Sequence, residues 1–279
     1  FYASLYKEKG LKGGHIILLN SADSEYFQAT KAQAMLALGA YPGGLQIGGG
    51  VNPDNAADYL AAGASHVIVT SYVFRDGHIS WKNLEKMVDA AGKEHLVLDL
   101  SCRKKEDAYY VVTDRWQKFT EEKVSLELME KLGAYCDEFL IHAVDVEGKA
   151  KGIEVSLAKL LGEYNGHPVT YAGGVGSMED IQTLKMAAGG ELDVAKTRKA
   201  VFDFFGGIGT VVDYCDAAKK SLTPRKEFLE QLQGQYGLKA AAADWVLNSV
   251  ISMGMSLNPD AKAVDNLRTN FEQQGGRVL

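Results

Sequence analysis

Two short glycine-rich stretches are the clearest places in this chain where chemistry can occur. The first is Gln46–Val51, which reads Gln-Ile-Gly-Gly-Gly-Val, and the second is Thr170–Val175, which reads Thr-Tyr-Ala-Gly-Gly-Val. Each is an apolar strand that runs into paired glycines, with a helix predicted to follow. Such a turn exposes backbone N–H groups beside the positive end of a helix dipole, which favours a bound phosphate. Two turns of this kind predict a ligand with a phosphate at each end.

Hydroxyl residues at the end of the next predicted strand extend the first of these sites. The residues predicted to bind phosphate there are Gly49, Gly50, Thr70 and Ser71. At the second site, Gly173 and Gly174 are predicted to contribute. The alternative is that glycines at strand ends only form tight turns, because glycine adopts a positive φ without steric cost.

Composition and charge restrict the classes of function. The chain has 279 residues, 46% of them hydrophobic, and a net charge of −6. Because there is no basic stripe, we do not expect nucleic acid as the main partner. The apolar run 240–257 is interrupted by Asp244 and Asn248, so a buried or partner-facing helix is favoured over membrane contact.

The cysteines indicate a compartment rather than a site. Cys102, Cys136 and Cys215 are odd in number and far apart, and no Cys/His spacing of a zinc site occurs. We therefore predict reduced thiols in an intracellular reducing compartment, either cytoplasm or an organellar matrix or stroma, and no metal.

Strand-like and helix-like segments alternate along the first two-thirds of the chain. Six candidate strands read as continuous Ile/Val/Leu runs, as in parallel strands covered on both faces. They are His15–Leu19, Leu45–Gly48, His66–Thr70, Leu96–Cys102, Phe139–Val144 and Pro168–Ala172. With a possible seventh at Leu192, they predict an α/β (β/α) barrel, and an open doubly wound sheet is the alternative. An eight-stranded barrel needs one more strand, which we expect before Phe1.

After about Val194 the alternation ends and helices are predicted instead. They are Lys196–Phe205, Val211–Lys220, Pro224–Tyr236, Lys239–Met253 and Ala261–Gln274. We predict a barrel over residues 1–207 and a helical extension over residues 208–279. The apolar anchors of the extension either pack on their own domain or contact a protein partner. These anchors are Phe228, Leu229, Tyr236, Trp245, Val246 and Phe271.

Six segments within residues 2–194 carry a resemblance to a known family. They are Gly44–Val51, Ala62–Ser71, Leu98–Lys104, Arg115–Gln117, Glu138–Gly148 and Tyr171–Val175. In this order and spacing they resemble the eukaryotic-type ProFAR isomerase family of histidine biosynthesis. The resemblance implies a (β/α)8 barrel. It also implies an Amadori-type aldose–ketose isomerisation of a bis-phosphorylated aminoimidazole carboxamide ribotide, without metal or redox cofactor.

The resemblance also implies a pair of carboxylates on opposite sides of the barrel mouth, on the first and fifth strands. One group protonates the ring oxygen and the other takes a proton from the adjacent carbon. Asp145, just after the strand Phe139–Val144, is our candidate for the fifth-strand acid, and capping of the next turn is the alternative. The bacterial branch of the family has its aspartate two residues earlier, where this chain has Ala143. His142 is expected to point into the barrel as a packed, hydrogen-bonded histidine.

Two further residues are predicted to lie near the substrate, and a third is predicted to face into the barrel. Trp116 either stacks on the imidazole ring of the substrate or plugs the space under its own loop. Arg103 either neutralises a phosphate or supports a loop through an ion pair. Asp99 is expected to face inward, where a buried carboxylate needs a partner that the sequence does not name.

Two departures from the family leave the function open. The strand that carries the first carboxylate is not found in these residues. In the family, a glycine turn after the eighth strand completes the second phosphate site, and Asp193–Val201 has two lysines and an arginine in its place. The leading hypothesis is an isomerase, and the alternative is a catalytically degenerate barrel that is a structural subunit of a larger assembly. A third possibility is the sister cyclase of the same pathway, although Ser101–Lys104 and Arg115–Gln117 fit the isomerase better.

Overall fold

The structure, a computed structural model, describes residues 1–114, 116–189, 191–192, 194–208, 214, 223–253 and 268–278. The chain divides into two compact units. The first comprises residues 1–149 and 164–174, and the second comprises residues 150–163 and 175–279. The predicted boundary after residue 207 stays a prediction.

A six-stranded parallel sheet forms the centre of the first unit. Its strands are β1 (Gly14–Ile17), β2 (Leu45–Gly48), β3 (His66–Val69), β4 (Leu96–Asp99), β5 (Glu138–His142) and β6 (Val169–Ala172). They lie side by side in chain order, and every neighbouring pair is parallel. The middle strands are largely buried on both faces, as their unbroken apolar sequences predict. All six predicted strands are confirmed, with ends shifted by a few residues.

Helices precede or connect these strands. They are α1 (Tyr2–Glu8), α2 (Phe27–Ala40), α3 (Ala56–Ala61), α4 (Trp81–Ala91) and α5 (Leu126–Gly133). Two of them begin at a serine whose hydroxyl accepts a backbone N–H of the first turn, Ser80 in α4 and Ser125 in α5. Such a cap satisfies one of the N–H groups that a helix start leaves without a partner.

The sheet is curled rather than flat. Gln46 on β2 donates through Nε2 to Oε2 of Glu138 on β5 at 2.7 Å, although two strands lie between β2 and β5. In a flat sheet these strands would be about 14 Å apart, because neighbouring strands are about 4.8 Å apart. Glu138 also accepts from the Thr170 hydroxyl of β6 at 2.6 Å. The inner faces of the strands therefore converge at their amino-terminal ends.

An antiparallel sheet lies on this scaffold, and the sequence patterns did not predict it. Its strands are Cys102–Lys105, Ala108–Thr113 and Lys118–Lys123. The predicted strand Leu96–Cys102 ends at Asp99, and Cys102 begins the new sheet while forming a parallel bridge to Ala143. A two-stranded hairpin, Phe74–Arg75 with His78–Ile79, lies nearby in sequence.

The second unit is mostly helical where it is described. Its helices are α6 (Val155–Gly162), α7 (Met178–Gly189), α8 (Val194–Ile208), α9 (Thr223–Glu230) and α10 (Ala240–Met253), and a π-helical turn follows α9 at Gln231–Gln235. Apart from Tyr214, the predicted helix Val211–Lys220 falls outside the described residues, as does the first half of the predicted helix Ala261–Gln274. The possible seventh strand corresponds to Glu191–Leu192, which pairs in parallel with Arg277–Val278 rather than with the central sheet.

The apolar anchors of the extension belong to the core of this unit. Phe228, Trp245, Val246 and Phe271 are buried in one cluster of side chains. Trp245 also donates from its indole to the side-chain oxygen of Gln274 at 2.7 Å. These side chains are therefore used for internal packing, and contact with a protein partner stays a prediction. Among the described helices, none has the length and apolarity needed to cross a membrane.

Candidate active site

A cavity of about 500 Å³ lies at the carboxyl-terminal ends of β1 to β4. Six residues that bear on function line it, namely Gly49, Gly50, Thr70, Ser71, Asp99 and Trp116. Five of them are residues that the sequence singled out for substrate binding, and Asp99 joins them. The other predicted site residues, Arg103, Asp145, Gly173 and Gly174, are not among the lining residues of this cavity.

The first glycine turn is shaped by close approach to β1. Gly49 has φ +98°, and a Cβ there would clash with the backbone carbonyl oxygen of Leu18. Gly50 has φ +68° with open space around it. Its carbonyl oxygen accepts from the Asn55 side chain at 3.1 Å, which fixes the turn. Among the described residues, no group accepts a hydrogen bond from the N–H of Gly50 or Val51. These two donors are therefore available to a ligand.

The second glycine turn repeats this construction at the other edge of the sheet. Gly173 has φ +112°, and a Cβ there would lie 2.6 Å from the carbonyl oxygen of Ala143. The N–H of Ala143 donates to Ala172 at 2.8 Å, just as the N–H of Leu18 donates to Gly48 at 2.9 Å. Glycine is therefore required at both turns by the same contact, whether or not a phosphate binds there.

Asp99 is the carboxylate of the cavity. The Thr70 hydroxyl donates to its Oδ2 and the Ser101 hydroxyl to its Oδ1, both at 2.8 Å. Burial raises the pKa of Asp99 above its ordinary value, and the hydrogen bonds from Thr70 and Ser101 oppose part of that effect. The partner that the sequence could not name is thus a pair of hydroxyls. Because Thr70 is committed to Asp99, its predicted role in phosphate binding stays a prediction.

His142 extends this network. Its Nδ1 lies 3.5 Å from the Ser101 hydroxyl, and its Nε2 lies 3.2 Å from Oε2 of Glu147. The ring of Trp116 meets the His142 ring edge-on, with 5.0 Å between the centroids. His142 therefore faces inward and is hydrogen-bonded, as expected, and it links Asp99 to the half-exposed Glu147.

Asp145 is held outside the cavity by two hydrogen bonds. Arg103 donates from Nε to its Oδ1, and the backbone N–H of Lys104 donates to its Oδ2, both at 2.8 Å. Burial acts to raise the pKa of Asp145, but the bonds from Arg103 and Lys104 outweigh it and leave that pKa below its ordinary value. The guanidinium of Arg103 also lies over the Phe119 ring at 5.7 Å. The pair ties the antiparallel sheet to the turn that follows β5, and the catalytic role of Asp145 stays a prediction.

Sequence reasoning did not anticipate that Ser101 and Glu147 belong to the network around Asp99. The signal for Ser101 was present, because residues two apart on an extended segment point to the same side. Asp99 and Ser101 have that spacing, and so do Leu140 and His142 on β5. Glu147 follows a 3-10 turn at Val144–Val146, so its position could not be read from a strand pattern.

A curled parallel α/β sheet with a cavity at the carboxyl ends of its strands defines a protein of the (β/α)-barrel class, which binds small molecules at that end. Residues 2–197 match the family described as histidine biosynthesis protein, and the chain belongs to this family.

Three relatives carry the same name, 1-(5-phosphoribosyl)-5-((5-phosphoribosylamino)methylideneamino) imidazole-4-carboxamide isomerase. The chloroplastic protein of Medicago truncatula is 52% identical over 206 residues, which is 74% of this chain and 64% of that relative. The protein of Neurospora crassa is 41% identical over 218 residues, covering 77% of this chain and 81% of the relative. The protein of Saccharomyces cerevisiae is 37% identical over 213 residues, covering 74% and 78%.

The chain therefore spans just under two-thirds of the length of the Medicago relative and about four-fifths of the two fungal ones. The predicted resemblance to the ProFAR isomerases is confirmed. None of these names supports the structural-subunit alternative.

Proposed function

We propose that this chain forms the barrel of an aldose–ketose isomerase of histidine biosynthesis that acts on a bis-phosphorylated aminoimidazole carboxamide ribotide. One observation carries the proposal. A glycine turn with unsatisfied N–H donors and a protonatable carboxylate, Asp99, face the same cavity. The three relatives are named as isomerases of an imidazole carboxamide with two phosphoribosyl groups, which supports the proposal.

The substrate is bound by one phosphate at the first glycine turn. The N–H groups of Gly50 and Val51 and the hydroxyl of Ser71 supply the hydrogen bonds. The side chain of Trp116, which also lines the cavity, stacks on the imidazole ring. The second phosphate is bound near Gly173 and Gly174. Neither a metal nor a redox cofactor takes part in this proposal.

The chemistry needs one group that protonates the ring oxygen, so that the ring opens, and another that takes the proton from the adjacent carbon. We assign the first role to Asp99, because it lines the cavity and burial raises its pKa, so that it keeps its proton to higher pH than an ordinary carboxyl group. Asp145 is the weaker candidate because Arg103 and Lys104 hold its carboxylate.

The second proton-transfer group comes from a strand that closes the sheet. Within the described residues, β1 and β6 each pair along one side only. Ile17 of β1 is 45% exposed, and all of β6 is partly exposed, as expected for edges that await neighbours. Two further strands would close the curled sheet into an eight-stranded barrel, the first of them bearing the second carboxylate. The helices of residues 208–279 are the extension to that barrel.

We also propose a reducing organellar or cytoplasmic compartment for this protein. The Medicago relative is chloroplastic. Cys102 and Cys136 are buried thiols, and Cys215 lies outside the described residues.

Complementation tests the function directly. The natural full-length protein is expressed in a histidine auxotroph that lacks its own isomerase, and growth without histidine is scored. Purified protein is assayed in parallel for conversion of the aminoaldose into the aminoketose. Asp99→Asn is expected to lower turnover about 10²–10⁴-fold, and Asp145→Asn much less. Absence of both growth and turnover in the parent protein would remove the proposal.

A further inference from the structure

We propose that His142, held between Ser101 and Glu147, is a positioning residue that sets the pH range in which Asp99 transfers its proton. The inference rests on the proposed function, since it concerns the acid of that reaction. It begins from a continuous line of contacts that runs from the cavity to the protein surface. The line passes from Asp99 through Ser101 and His142 to Glu147.

The direction of each hydrogen bond follows from the donors available. The Ser101 hydroxyl donates its single hydrogen to Asp99, so its oxygen is left to accept from Nδ1–H of His142. A carboxylate can only accept, so Nε2–H of His142 donates to Glu147. Both ring nitrogens can donate in this way when the imidazole is protonated. The chain of contacts then places a positive charge behind the hydroxyl that touches Asp99.

Other charged groups near the cavity are already matched or lie farther along the strands. Asp114 pairs with Lys118 at 2.9 Å, and Asp145 pairs with Arg103. On β1, His15 is influenced by Glu138 and by Asp99, but burial is the main effect and lowers the pKa of His15.

Glu138 lies at the amino-terminal end of β5, and His142 at its carboxyl-terminal end beside Asp99. His142 therefore has a contact path to Asp99 through the Ser101 hydroxyl.

The physical consequence is a balance of opposing effects at one carboxyl group. Burial raises the pKa of Asp99, the hydrogen bonds from Thr70 and Ser101 lower it, and a positive charge on His142 lowers it further. An acid is most effective when its pKa lies near the working pH, so the cation keeps Asp99 from becoming too weak an acid to protonate the ring oxygen. The Trp116 ring shields the imidazole on one side, which strengthens the interaction by excluding water.

The test is a titration of Asp99 in the natural full-length protein labelled with ¹³C at aspartate carboxyl groups. The signal is assigned by its loss in Asp99→Asn, and the pH dependence of kcat/KM is measured alongside. In His142→Gln, the titration of Asp99 is expected to move to higher pH by about 0.5–1 unit. The alkaline limb of the kcat/KM profile should move with it. In Glu147→Gln the shift has the same direction and is smaller, because the imidazole remains but its outer partner no longer favours the cation.

A matched control is His78→Gln, which makes the same replacement at an exposed histidine of the hairpin beside Glu121 and Glu122. It should leave the Asp99 titration unchanged. The inference is overturned if Asp99 titrates alike in the parent and His142→Gln, or if the His78 variant gives the same shift. If His142→Gln does not fold, an unshifted titration in Glu147→Gln overturns it. A parent protein without turnover removes the proposed function, and the carboxyl titration still decides this inference.

Discussion

Replacing Gly49 by alanine measures how closely the first glycine turn is packed against its neighbouring strand. Gly49 has φ +98°, and a Cβ there would clash with the carbonyl oxygen of Leu18 and lie 2.7 Å from its nitrogen. Leu18 is not free to retreat, because its N–H donates to Gly48 at 2.9 Å. The substitution therefore strains both the turn and the end of β1.

The expected magnitude has two parts. An alanine in the left-handed region costs about 1–2 kcal/mol relative to glycine. Forcing the backbone of Leu18 aside adds about 1–3 kcal/mol, as for an overpacked core position. The free energy of unfolding should thus fall by about 2–5 kcal/mol in Gly49→Ala. Gly50→Ala is the matched control, because Gly50 also has a positive φ but open space around it. In Gly50→Ala, the free energy of unfolding should fall by only about 1–2 kcal/mol, the cost of a positive φ to alanine.

Urea unfolding followed by far-ultraviolet circular dichroism measures both variants, and isomerase assays give kcat and KM. Gly49→Ala should be the less stable variant by about 1–3 kcal/mol. Both substitutions should raise KM because they disturb the N–H donors of the turn. Equal losses of stability in the two variants would refute the reasoning, since they would mean that the approach to Leu18 carries no strain.

Three further expectations follow from the structure. Glu138→Ala leaves the Gln46 amide and the Thr170 hydroxyl without their acceptor, so the free energy of unfolding should fall by about 2–4 kcal/mol, and unchanged urea unfolding would contradict this. Asp145→Asn should destabilise the protein at pH 7 by about 0.5–1 kcal/mol, because the ion pair with Arg103 is partly exposed. The folded-state pKa of Asp145 lies below the ordinary 3.8, so its contribution is complete well above that value and is lost as the pH falls through the lowered pKa. The free energies of unfolding of the parent and Asp145→Asn should therefore converge in acid. If they diverged there instead, folding would raise the pKa of Asp145 and not lower it. Burial raises the pKa of Cys136 to about 12, so it should resist alkylation at pH 8 until urea unfolds the protein, as mass spectrometry of its peptide can check.

The sequence was most informative where one physical effect dominates. Continuous apolar runs located all six central strands, since a strand covered on both faces must be apolar on both faces. The antiparallel sheet was not foreseen because Cys102–Lys105 and Lys118–Lys123 are rich in charge and resemble exposed loop. Their strand character comes from pairing with the apolar strand Ala108–Thr113 between them, which is a tertiary effect.

Local sequence also could not distinguish the environments of Asp99 and Asp145, for the same reason. Both follow apolar runs near the ends of strands, so position along the chain does not distinguish them. What distinguishes them is the neighbour across the sheet, which gives Asp99 the hydroxyl of Thr70 and gives Asp145 the guanidinium of Arg103. Hydrogen-bond partners more than 25 residues away are not encoded in local spacing, whereas the two glycine turns are.

The bond between Gln46 and Glu138 has a consequence for how this protein can be altered. It holds the curled sheet together at the amino-terminal ends of its strands. The cavity that Asp99 lines is at their carboxyl-terminal ends. Leu140 lies between these two ends on β5 and is part of a buried apolar cluster with Ile68 and Val97. The polar groups that hold the curl of the sheet are thus different from those that line the cavity, and apolar side chains lie between them. Substitutions among the cavity-lining residues should therefore change which substrates bind without weakening the bond between Gln46 and Glu138.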